Sequence, residues 1–289
     1  MGVGLLGGSV GLAVRRHGLA GEIAGYVRSE KAVADCEKYG ATDYATTDLL
    51  AAVSNADLVI LGTPLAQMRA LTEQLLPGLK PGAIVTDVGS VKADVVRELE
   101  PLVTKAGGYF IGSHPMAGGE KTGVAAARGN LFEKAVCVLT PTKKSSAGAV
   151  RKLERFWKAL GARILKLDAA QHDVLVGRSS HLPHVVAAAL AGLVLDPKQS
   201  KEPKQQAALC ATGFRDTTRV ASGSPEMWRD ITLANRKNIA RSVDAYLAEL
   251  KKFQTAVKAS DATGIEEFFA TAKHWRDEWF AQSTLTSSE

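Results

Sequence analysis

The stretch Gly2-Val3-Gly4-Leu5-Leu6-Gly7, near the start of the 289-residue sequence, spells the pattern G-x-G-x-x-G. In a dinucleotide-binding fold the first glycine permits a tight turn, the second lets the backbone approach a pyrophosphate, and the third lets a helix pack against a strand. We therefore assign Gly2, Gly4 and Gly7 to a cofactor-binding turn, and we predict that Ser9–Arg16 is the helix whose first amides face the phosphates. A glycine-rich turn alone is weak evidence, so the fold depends on the pattern of the residues after Gly7.

The segment before this fingerprint is unusual. An apolar strand of about five or six residues normally precedes the first glycine, but here Met1 lies directly before it. That strand is central in a doubly wound sheet, so its loss would leave backbone groups of its neighbours unpaired. We expect that the native start lies upstream, that the chain is truncated, or that it binds cofactor poorly.

Five short apolar runs come after the fingerprint and alternate with helical patterns. They are rich in Val and Ile and span residues 22–27, 56–62, 83–88, 108–111 and 136–140. Strands that alternate with helices predict an α/β fold, with a parallel sheet covered by helices on both faces. A helix over 147–160 and a run over 163–167 close this Rossmann-like dinucleotide-binding domain, which is predicted to span residues 1–168.

The second half of the chain changes character. From residue 169 onward no strand-like run occurs, and helices are predicted over 174–195, 205–222 and 225–260. The stretch 196–204, DPKQSKEPK, has two prolines and many charges, so it is predicted to be a surface loop. Residues 169–289 are therefore predicted to form an all-α C-terminal domain that binds substrate and dimerises.

An apolar stripe supports the expectation of a homodimer. Its members step by 4, 3, 4, 3 and 4 residues: Ile239, Val243, Tyr246, Leu250, Phe253 and Val257. Such a stripe packs along another helix, either inside the domain or between two subunits. Four aromatic residues near the end are expected in the core: Phe268, Phe269, Trp275 and Trp279. Residues after Gln282 are expected to fray.

Composition excludes several classes of protein. Hydrophobic residues make up 46% and charged residues 23%, as in a globular protein, and the absence of a long apolar run or a signal-peptide pattern argues against a membrane span or secretion. The net charge of +6 is scattered, so nucleic-acid binding is not expected, and a mild positive field suits anionic ligands. Three distant cysteines, Cys36, Cys137 and Cys210, predict neither a disulfide framework nor a zinc site, and are interpreted as buried thiols in a reducing cytoplasm.

The choice between NAD and NADP is made about 20 residues after the fingerprint, where an acid binds the ribose of NAD and an arginine accepts the 2′-phosphate of NADP. The sequence has Arg28 and Ser29 there and no acid at the expected place. This favours NADP, although Arg28 could simply be a solvated residue that opens a helix. Thr63 and Pro64, directly after the run 56–62, are also assigned to the cofactor.

Three segments carry the candidate chemistry. They are Thr86-Asp87-Val88-Gly89-Ser90-Val91-Lys92, Gly112-Ser113-His114-Pro115-Met116-Ala117-Gly118 and Ser180-His181-Leu182-Pro183-His184. A lone histidine on an apolar face is usually structural. His114 differs, because it follows a strand in a glycine-rich turn, at the carboxyl edge where open α/β sheets bind ligands.

These segments together resemble the prephenate/arogenate dehydrogenase family. The resemblance continues through Leu131-Phe132, Leu139-Thr140-Pro141, His172-Asp173, Gly213–Arg219 and Met227–Asp230, and it covers the chain from Gly2 to about Asn235. It departs from the family only at the missing first strand and at the cofactor-selecting segment. It implies an NAD(P)-dependent oxidoreductase of tyrosine biosynthesis that acts on prephenate or arogenate.

The resemblance also implies a role for each matching residue. His114 matches the catalytic histidine that bonds the C4 hydroxyl of the substrate, and Ser90 matches the serine that holds this histidine and the hydroxyl. Arg219 matches the arginine that binds the ring carboxylate. Glu120 matches an acid at the mouth of the site, and His184 a histidine near the side chain of the substrate or of inhibitory tyrosine.

The implied chemistry accounts for these residue types. Hydride leaves C4, the hydroxyl proton is drawn off, carbon dioxide leaves and the ring becomes aromatic, so no metal or imine is needed. The protein supplies a neutral histidine with a pKa near neutrality as the base. It also supplies a planar guanidinium fork for the carboxylate.

Two alternatives remain open at this point. A β-hydroxyacid dehydrogenase would share the dinucleotide domain and the helical half, but it usually relies on a lysine in the helical half. A catalytically silent dinucleotide-binding protein would fit the missing first strand, whereas the set His114, Ser90 and Arg219 argues against it.

Overall fold

The computed structural model describes residues 1–285, with side chains described to residue 282. By its internal contacts the chain divides into two compact units, Met1–Arg236 and Lys237–Glu289. The domain boundary predicted after residue 168 stays a prediction. The fraying predicted after Gln282 concerns residues that lie mostly outside the described ones.

Eight strands are found in the first unit. They are β1 Ala24–Tyr26, β2 Tyr44–Thr46, β3 Leu58–Leu61, β4 Ile84–Asp87, β5 Tyr109–Phe110, β6 Gly112–Pro115, β7 Val136–Thr140 and β8 Arg163–Lys166. All predicted runs contain a strand. The strand β2 and a short helix after it were not predicted, because three-residue and five-residue elements show too little periodicity. The strand β6 was not predicted either, because its residues were interpreted as part of a glycine-rich turn.

Thirteen α-helices are found in the described residues. They are α1 Leu5–His17, α2 Glu30–Lys38, α3 Leu49–Val53, α4 Leu65–Leu75, α5 Ala93–Lys105, α6 Ala147–Ala159, α7 Ala169–Val176, α8 Leu182–Leu195, α9 Pro203–Ala208, α10 Thr212–Thr218, α11 Pro225–Ala234, α12 Arg236–Lys258 and α13 Ala262–Leu285.

The strands pair mostly in parallel, as predicted. β1 pairs with β2, and β3, β4 and β5 form a second parallel group. β6 departs from the prediction because it pairs antiparallel with β7, which in turn pairs parallel with β8. The reason is local: the chain between β6 and β7 contains a single 3₁₀ turn and no crossover helix, so it can only reverse direction.

Met1 and Gly2 lie between β1 and β3. The Met1 amine donates to the Ile60 carbonyl at 3.0 Å, the Gly62 amide donates to the Met1 carbonyl at 2.8 Å, and the Gly2 amide donates to the Tyr26 carbonyl at 3.0 Å. These two residues therefore bridge the two strand groups with the hydrogen bonds of a central strand.

Helices cover both faces of the sheet. Adjacent residues of β4 belong to two different apolar clusters: Ile84 packs with residues of α1 and α6, and Val85 packs with residues of α4 and α5. Since successive side chains of a strand point to opposite faces, the two clusters are the two sides of the sheet. The Rossmann-like prediction is confirmed.

The rest of the first unit is helical, with three differences from the prediction. The helix predicted from 174 begins at α7 and passes through a π turn, Gly177–His181, into α8. The loop predicted over 196–204 ends where α9 begins at Pro203. The helix predicted over 225–260 is interrupted at Asn235, between α11 and α12.

The second unit contains α12 and α13. The ring of Phe253 lies 4.9 Å from that of Phe268 and 5.7 Å from that of Phe269, so these aromatics pack together. Phe269, Trp275 and Trp279 are 59%, 62% and 61% exposed, and the prediction that they belong to the core is wrong for the single chain. Among the described residues, no helix combines the length and apolarity that crossing a membrane requires.

The three cysteines are free thiols in the described structure. Cys36 and Cys137 are buried, as predicted, whereas Cys210 is partly exposed. Burial raises the pKa of the Cys137 thiol, so this side chain behaves as a small apolar residue.

Candidate active site

His114 lies on β6 and is part of a buried chain of three side chains. Its Nδ1 lies 2.9 Å from Nε2 of His172, and Nδ1 of His172 lies 2.8 Å from Oδ1 of Asp173. His114 is 7% exposed and His172 is fully buried. The prediction that His114 follows a strand in a turn is wrong in detail, because the strand extends through His114 to Pro115.

The carboxylate of Asp173 is held by the start of α5. Its Oδ1 accepts a hydrogen bond from the Lys92 amide at 2.7 Å, and its Oδ2 accepts one from the Ala93 amide at 2.8 Å. The side chain of Asn235 donates to the Asp173 carbonyl at 2.8 Å. A negative charge is favoured at this place, since the first amides of a helix lack intrahelical partners.

A buried ion pair lies next to β6, the strand that carries His114. Lys92 and Asp87 are both fully buried, and Nζ of Lys92 is hydrogen bonded to Oδ2 of Asp87. Asp87 also accepts from the amides of Gly89, at 2.8 Å, and Ser113, at 3.2 Å. Because every charge of this pair is compensated by a partner, the cost of its burial is offset, and the backbone next to His114 is fixed.

The environment keeps His114 neutral. Burial holds the pKa of His114 well below its ordinary value of 6.5, and the neighbouring His172, Lys92 and His181 lower it further. The expectation of a pKa near neutrality is therefore corrected, because the sequence does not show how deeply the ring is buried. The lower pKa means that the imidazole remains an available proton acceptor at neutral pH.

Ser90 lies half-buried in the loop between β4 and α5. Among residues 1–285, no hydrogen bond is found for its hydroxyl, and the side chain that holds His114 is His172. The role implied for Ser90 toward His114 and the substrate hydroxyl therefore stays a prediction.

Arg219 and Glu120 form an ion pair between Nη1 and Oε1. Both residues line a cavity of about 530 Å³, together with residues of α10 and the 3₁₀ turn after it: Phe214, Arg215, Thr218 and Ser222. The Arg219 side chain is 65% exposed. Its guanidinium is therefore accessible to an anion that enters this cavity.

His184 lies on α8 against an indole ring. Its ring centroid is 4.0 Å from that of Trp228, and its Nδ1 donates to the Ser180 carbonyl at 2.9 Å. Since a carbonyl only accepts, Nδ1 carries the proton, and Nε2 of His184 is left as an acceptor in the neutral ring. Nearby, burial lowers the pKa of His181 to about 4.

The glycine fingerprint has the geometry that a dinucleotide requires. A Cβ on Gly7 would lie 2.3 Å from the Gly2 carbonyl oxygen, and Gly2 has a φ of +78°, so both positions need glycine. A Cβ on Gly4 would meet nothing within 4 Å among the described residues. This open space lies at the N-cap of α1, whose first turn has no acid and, within the described chain, no side-chain cap. The site therefore fits a pyrophosphate.

The other predicted cofactor residues lie at neighbouring strand ends. The Thr63 hydroxyl is buried and finds no hydrogen-bond partner within the described residues, and its methyl group is next to Gly2. Pro64 is the N-cap of α4. Ser29 caps α2 by accepting from the Ala32 amide at 3.3 Å, and Arg28 makes no ion pair or hydrogen bond among residues 1–285.

In the structure, some of the predicted site residues are in contact with each other and others are not. Glu120 is brought to Arg219, and the fingerprint to Thr63. No direct contact between His114 and Arg219 is found among the described residues. His172 and Asp173 received no role from the sequence, because a His-Asp dipeptide on a helix gives no sign of which distant side chain it will meet.

Comparison with known proteins identifies the family. The model described as prephenate dehydrogenase, nucleotide-binding domain, matches residues 10–166, and that described as prephenate dehydrogenase, dimerization domain, matches residues 168–271. A prephenate dehydrogenase from Bacillus subtilis is 37% identical over 277 residues, which cover 96% of this chain and 74% of that protein.

Solved structures agree. Prephenate dehydrogenase from Aquifex aeolicus, in complex with hydroxyphenyl propionate and NAD+, is 32% identical with a TM-score of 0.88, over 96% of both chains. Arogenate dehydrogenase from Synechocystis is 31% identical with a TM-score of 0.80, over 96% of this chain and 98% of that one.

Proposed function

The chain belongs to the prephenate dehydrogenase family, and we propose that His114 is the base of its reaction and Arg219 the anchor of its substrate. The reaction is the nicotinamide-linked oxidative decarboxylation of prephenate in tyrosine biosynthesis. Membership in this family removes the β-hydroxyacid dehydrogenase alternative. The bound nicotinamide supplies the hydride acceptor.

The proposed base is the one ring nitrogen of His114 that is not engaged by His172. Nδ1 of His114 is engaged by His172, so Nε2 is the atom that accepts the proton of the C4 hydroxyl. As that proton leaves, the C4–H bond breaks and its electron pair leaves with hydrogen as hydride. Loss of carbon dioxide from the opposite ring carbon places the freed electron pair in the ring, which becomes an aromatic phenolate, and the proton on Nε2 can return to its oxygen. A positioned base of this kind contributes about 10²–10⁴-fold to the rate.

Arg219 orients the ring through its carboxylate. The guanidinium already binds one carboxylate, that of Glu120, which supports a site built to hold an anion at this point. A planar fork can form two parallel hydrogen bonds to a carboxylate and so fix the rotation of the ring. The substrate carboxylate competes with Glu120 for this guanidinium, so we propose that Glu120 controls the access of anions to Arg219.

We propose NADP as the preferred cofactor. The support is Arg28, exposed and without an ion pair among the described residues, at the end of β1 where the adenosine ribose binds in this fold. Thr63 supports cofactor binding in general, because its buried hydroxyl lacks a partner in the described chain and a hydroxyl in that state gains a hydrogen bond when a polar ligand arrives.

We also propose that the protein acts as a homodimer. The second matched family model is a dimerization domain. The apolar stripe on α12 supports a partner helix, because Leu250 and Val257 are 42% and 48% exposed in the single chain. Trp275 and Trp279 on α13 add exposed apolar area of the kind that oligomers bury.

A substrate and cofactor matrix tests this function. The purified protein is mixed with prephenate or arogenate and with NAD or NADP, and reduced cofactor is followed by absorbance while 4-hydroxyphenylpyruvate or tyrosine is identified as product. We expect reduction of cofactor with prephenate, faster with NADP. Reduction with neither substrate would leave the alternative of a catalytically silent dinucleotide-binding protein.

A further inference from the structure

We propose that His172 and Asp173 set the tautomer of His114, so that Nδ1 always carries the proton and Nε2 always carries the lone pair. The two residues would then be positioning residues that make His114 a base at the correct atom. The catalytic meaning of this inference rests on the proposed function, whereas the tautomer itself does not.

The carboxylate of Asp173 fixes the first proton. Both of its oxygens accept backbone N–H groups, from Lys92 at 2.7 Å and from Ala93 at 2.8 Å. A carboxylate at the first turn of a 13-residue helix complements the helix dipole, and in its charged form it has only acceptor sites. Nδ1 of His172, at 2.8 Å from Oδ1, must therefore be the donor.

The position of the proton on His172 determines the position of the proton on His114. A neutral imidazole carries one proton, so a proton on Nδ1 of His172 leaves a lone pair on Nε2. That nitrogen lies 2.9 Å from Nδ1 of His114. Two lone pairs cannot share a hydrogen bond, so Nδ1 of His114 must donate. This argument applies to the neutral ring of His172, which is fully buried.

The consequence reaches the reacting atom. With its proton on Nδ1, neutral His114 presents the lone pair of Nε2. When Nε2 takes the hydroxyl proton of the substrate, His114 becomes a cation. Its Nδ1–H donates to His172, which in turn donates to the carboxylate of Asp173. The same logic operates when an aspartate orients the histidine of a serine protease, with the difference that a second imidazole is inserted here.

The reverse tautomer would remove the base without changing the fold. If Nε2 of His114 carried the proton, it could only donate to the substrate hydroxyl, and the lone pair would face His172. A positioning role therefore predicts a loss of rate that follows the tautomer rather than the stability of the protein.

Nitrogen-15 NMR of histidine side chains measures this directly. The protein has six histidines, and the signals of His114 are assigned by their disappearance in His114→Ala. In the wild-type protein, labelled with ¹⁵N-histidine, we expect the His114 proton on Nδ1. A wild-type spectrum with the proton on Nε2 would overturn the proposal without any variant of His172.

Two variants test the cause. His172→Phe removes the acceptor, so we expect the His114 proton to move to Nε2 and kcat to fall about 10²-fold, with the KM for prephenate nearly unchanged. His172→Gln keeps a side-chain oxygen that can accept from Nδ1, and we expect it to retain the Nδ1–H tautomer and a kcat within about tenfold of the wild type. An unchanged tautomer in His172→Phe, or equal losses of kcat in both variants with unequal tautomers, would contradict the proposal.

The experiments distinguish a failure of the tautomer proposal from a failure of the proposed function. If the Nδ1–H tautomer is found but no cofactor is reduced with prephenate or arogenate, the proposed function is wrong and the role of His172 in setting the tautomer stands. If prephenate is oxidised at a normal rate while Nε2 of His114 carries the proton, the tautomer proposal is wrong and the proposed function stands.

Discussion

Arg219 and Glu120 lie 99 residues apart in the sequence and form an ion pair at a cavity of about 530 Å³. The alternative interpretation of the sequence is that Arg219 merely pairs with Asp216 or another acid on the helix surface. Asp216 instead lies 3.9 Å from Arg215. The guanidinium of Arg219 thus binds the Glu120 carboxylate in this structure, and under the proposed function the substrate carboxylate would displace it.

Arg219→Lys is expected to damage substrate use more than its retained charge implies. An ammonium fixes one contact where a guanidinium fixes two, and hydride transfer needs the reacting atoms about 3–3.5 Å apart and aligned. We expect the KM for prephenate to rise and kcat to fall, with cofactor affinity unchanged. Steady-state kinetics with prephenate and with arogenate measure both constants.

Arg215→Lys is the matched control for Arg219→Lys. Arg215 lines the same cavity and is 75% exposed, with its own surface partner. An exposed pair is worth only about 0–1 kcal/mol, so this variant should keep near-wild-type kinetics. If both variants behaved alike, Arg219 would have no special place in substrate binding.

Arg28→Ala is expected to weaken NADP more than NAD. The lost charge-assisted contact to the 2′-phosphate is worth about 1.5–3 kcal/mol, or roughly a ten- to hundredfold change in Kd. Titration of both cofactors by fluorescence or calorimetry gives the two ratios, and Lys38→Ala at the far end of α2 is the control. Equal losses for NAD and NADP would show that Arg28 does not contact the 2′-phosphate.

The pH dependence of kcat/KM should show a base with a low pKa. Burial, together with His172, Lys92 and His181, holds the pKa of His114 well below 6.5. Since the neutral form is the active one, the rate should stay level as pH falls from 8 through 6.5 and should decline only at lower pH. The charged groups that face His114 include Asp173, which is linked to it through His172, and Lys92, which is paired with Asp87. A rate halved already at pH 6.5 would mean that His114 is not shielded in this way.

Light scattering should give a dimer mass, twice the 30.6 kDa of one chain. The stripe of α12 is buried at Ile239 and exposed at Leu250, so its exposed end is the part expected to meet a partner. Leu250→Glu should therefore shift the protein toward monomer, whereas Lys251→Glu, which introduces the same carboxylate at the next position, should not. A monomer at micromolar concentration of the wild-type chain would rule out the dimer.

Periodicity and glycine spacing predicted most of the fold. The alternation of apolar runs and helices identified six of the eight strands, at least in part, because buried strands of the first unit carry Val and Ile between glycine and proline boundaries. The strand β2 was not predicted, because Tyr44–Thr46 is short and largely polar. The break between α11 and α12 at Asn235 escaped because Asn235 turns its side chain inward, to the Asp173 carbonyl, and that contact is not local.

The candidate site was only half predictable. His114, Arg219 and Glu120 are found in motifs with a recognisable pattern, so the sequence proposed them, and their roles stay predictions. The hydrogen bonds of His114 depend on residues 58 positions away, and the burial of Lys92 with Asp87 depends on how α5 packs after β4. Long-range contacts of this kind decide tautomers and pKa values, and a single sequence does not reveal them.

The central claim is that Nε2 of His114 removes the hydroxyl proton while C4 of prephenate loses hydride. The most direct measurement is the turnover of His114→Ala with prephenate and saturating cofactor, compared with the wild type and with His17→Ala, an exposed histidine at the end of α1. We predict a loss of about 10²–10⁴-fold in kcat for His114→Ala, with an unchanged melting temperature of the cofactor complex, and no loss for His17→Ala. Near-normal turnover in a folded His114→Ala protein would contradict the account.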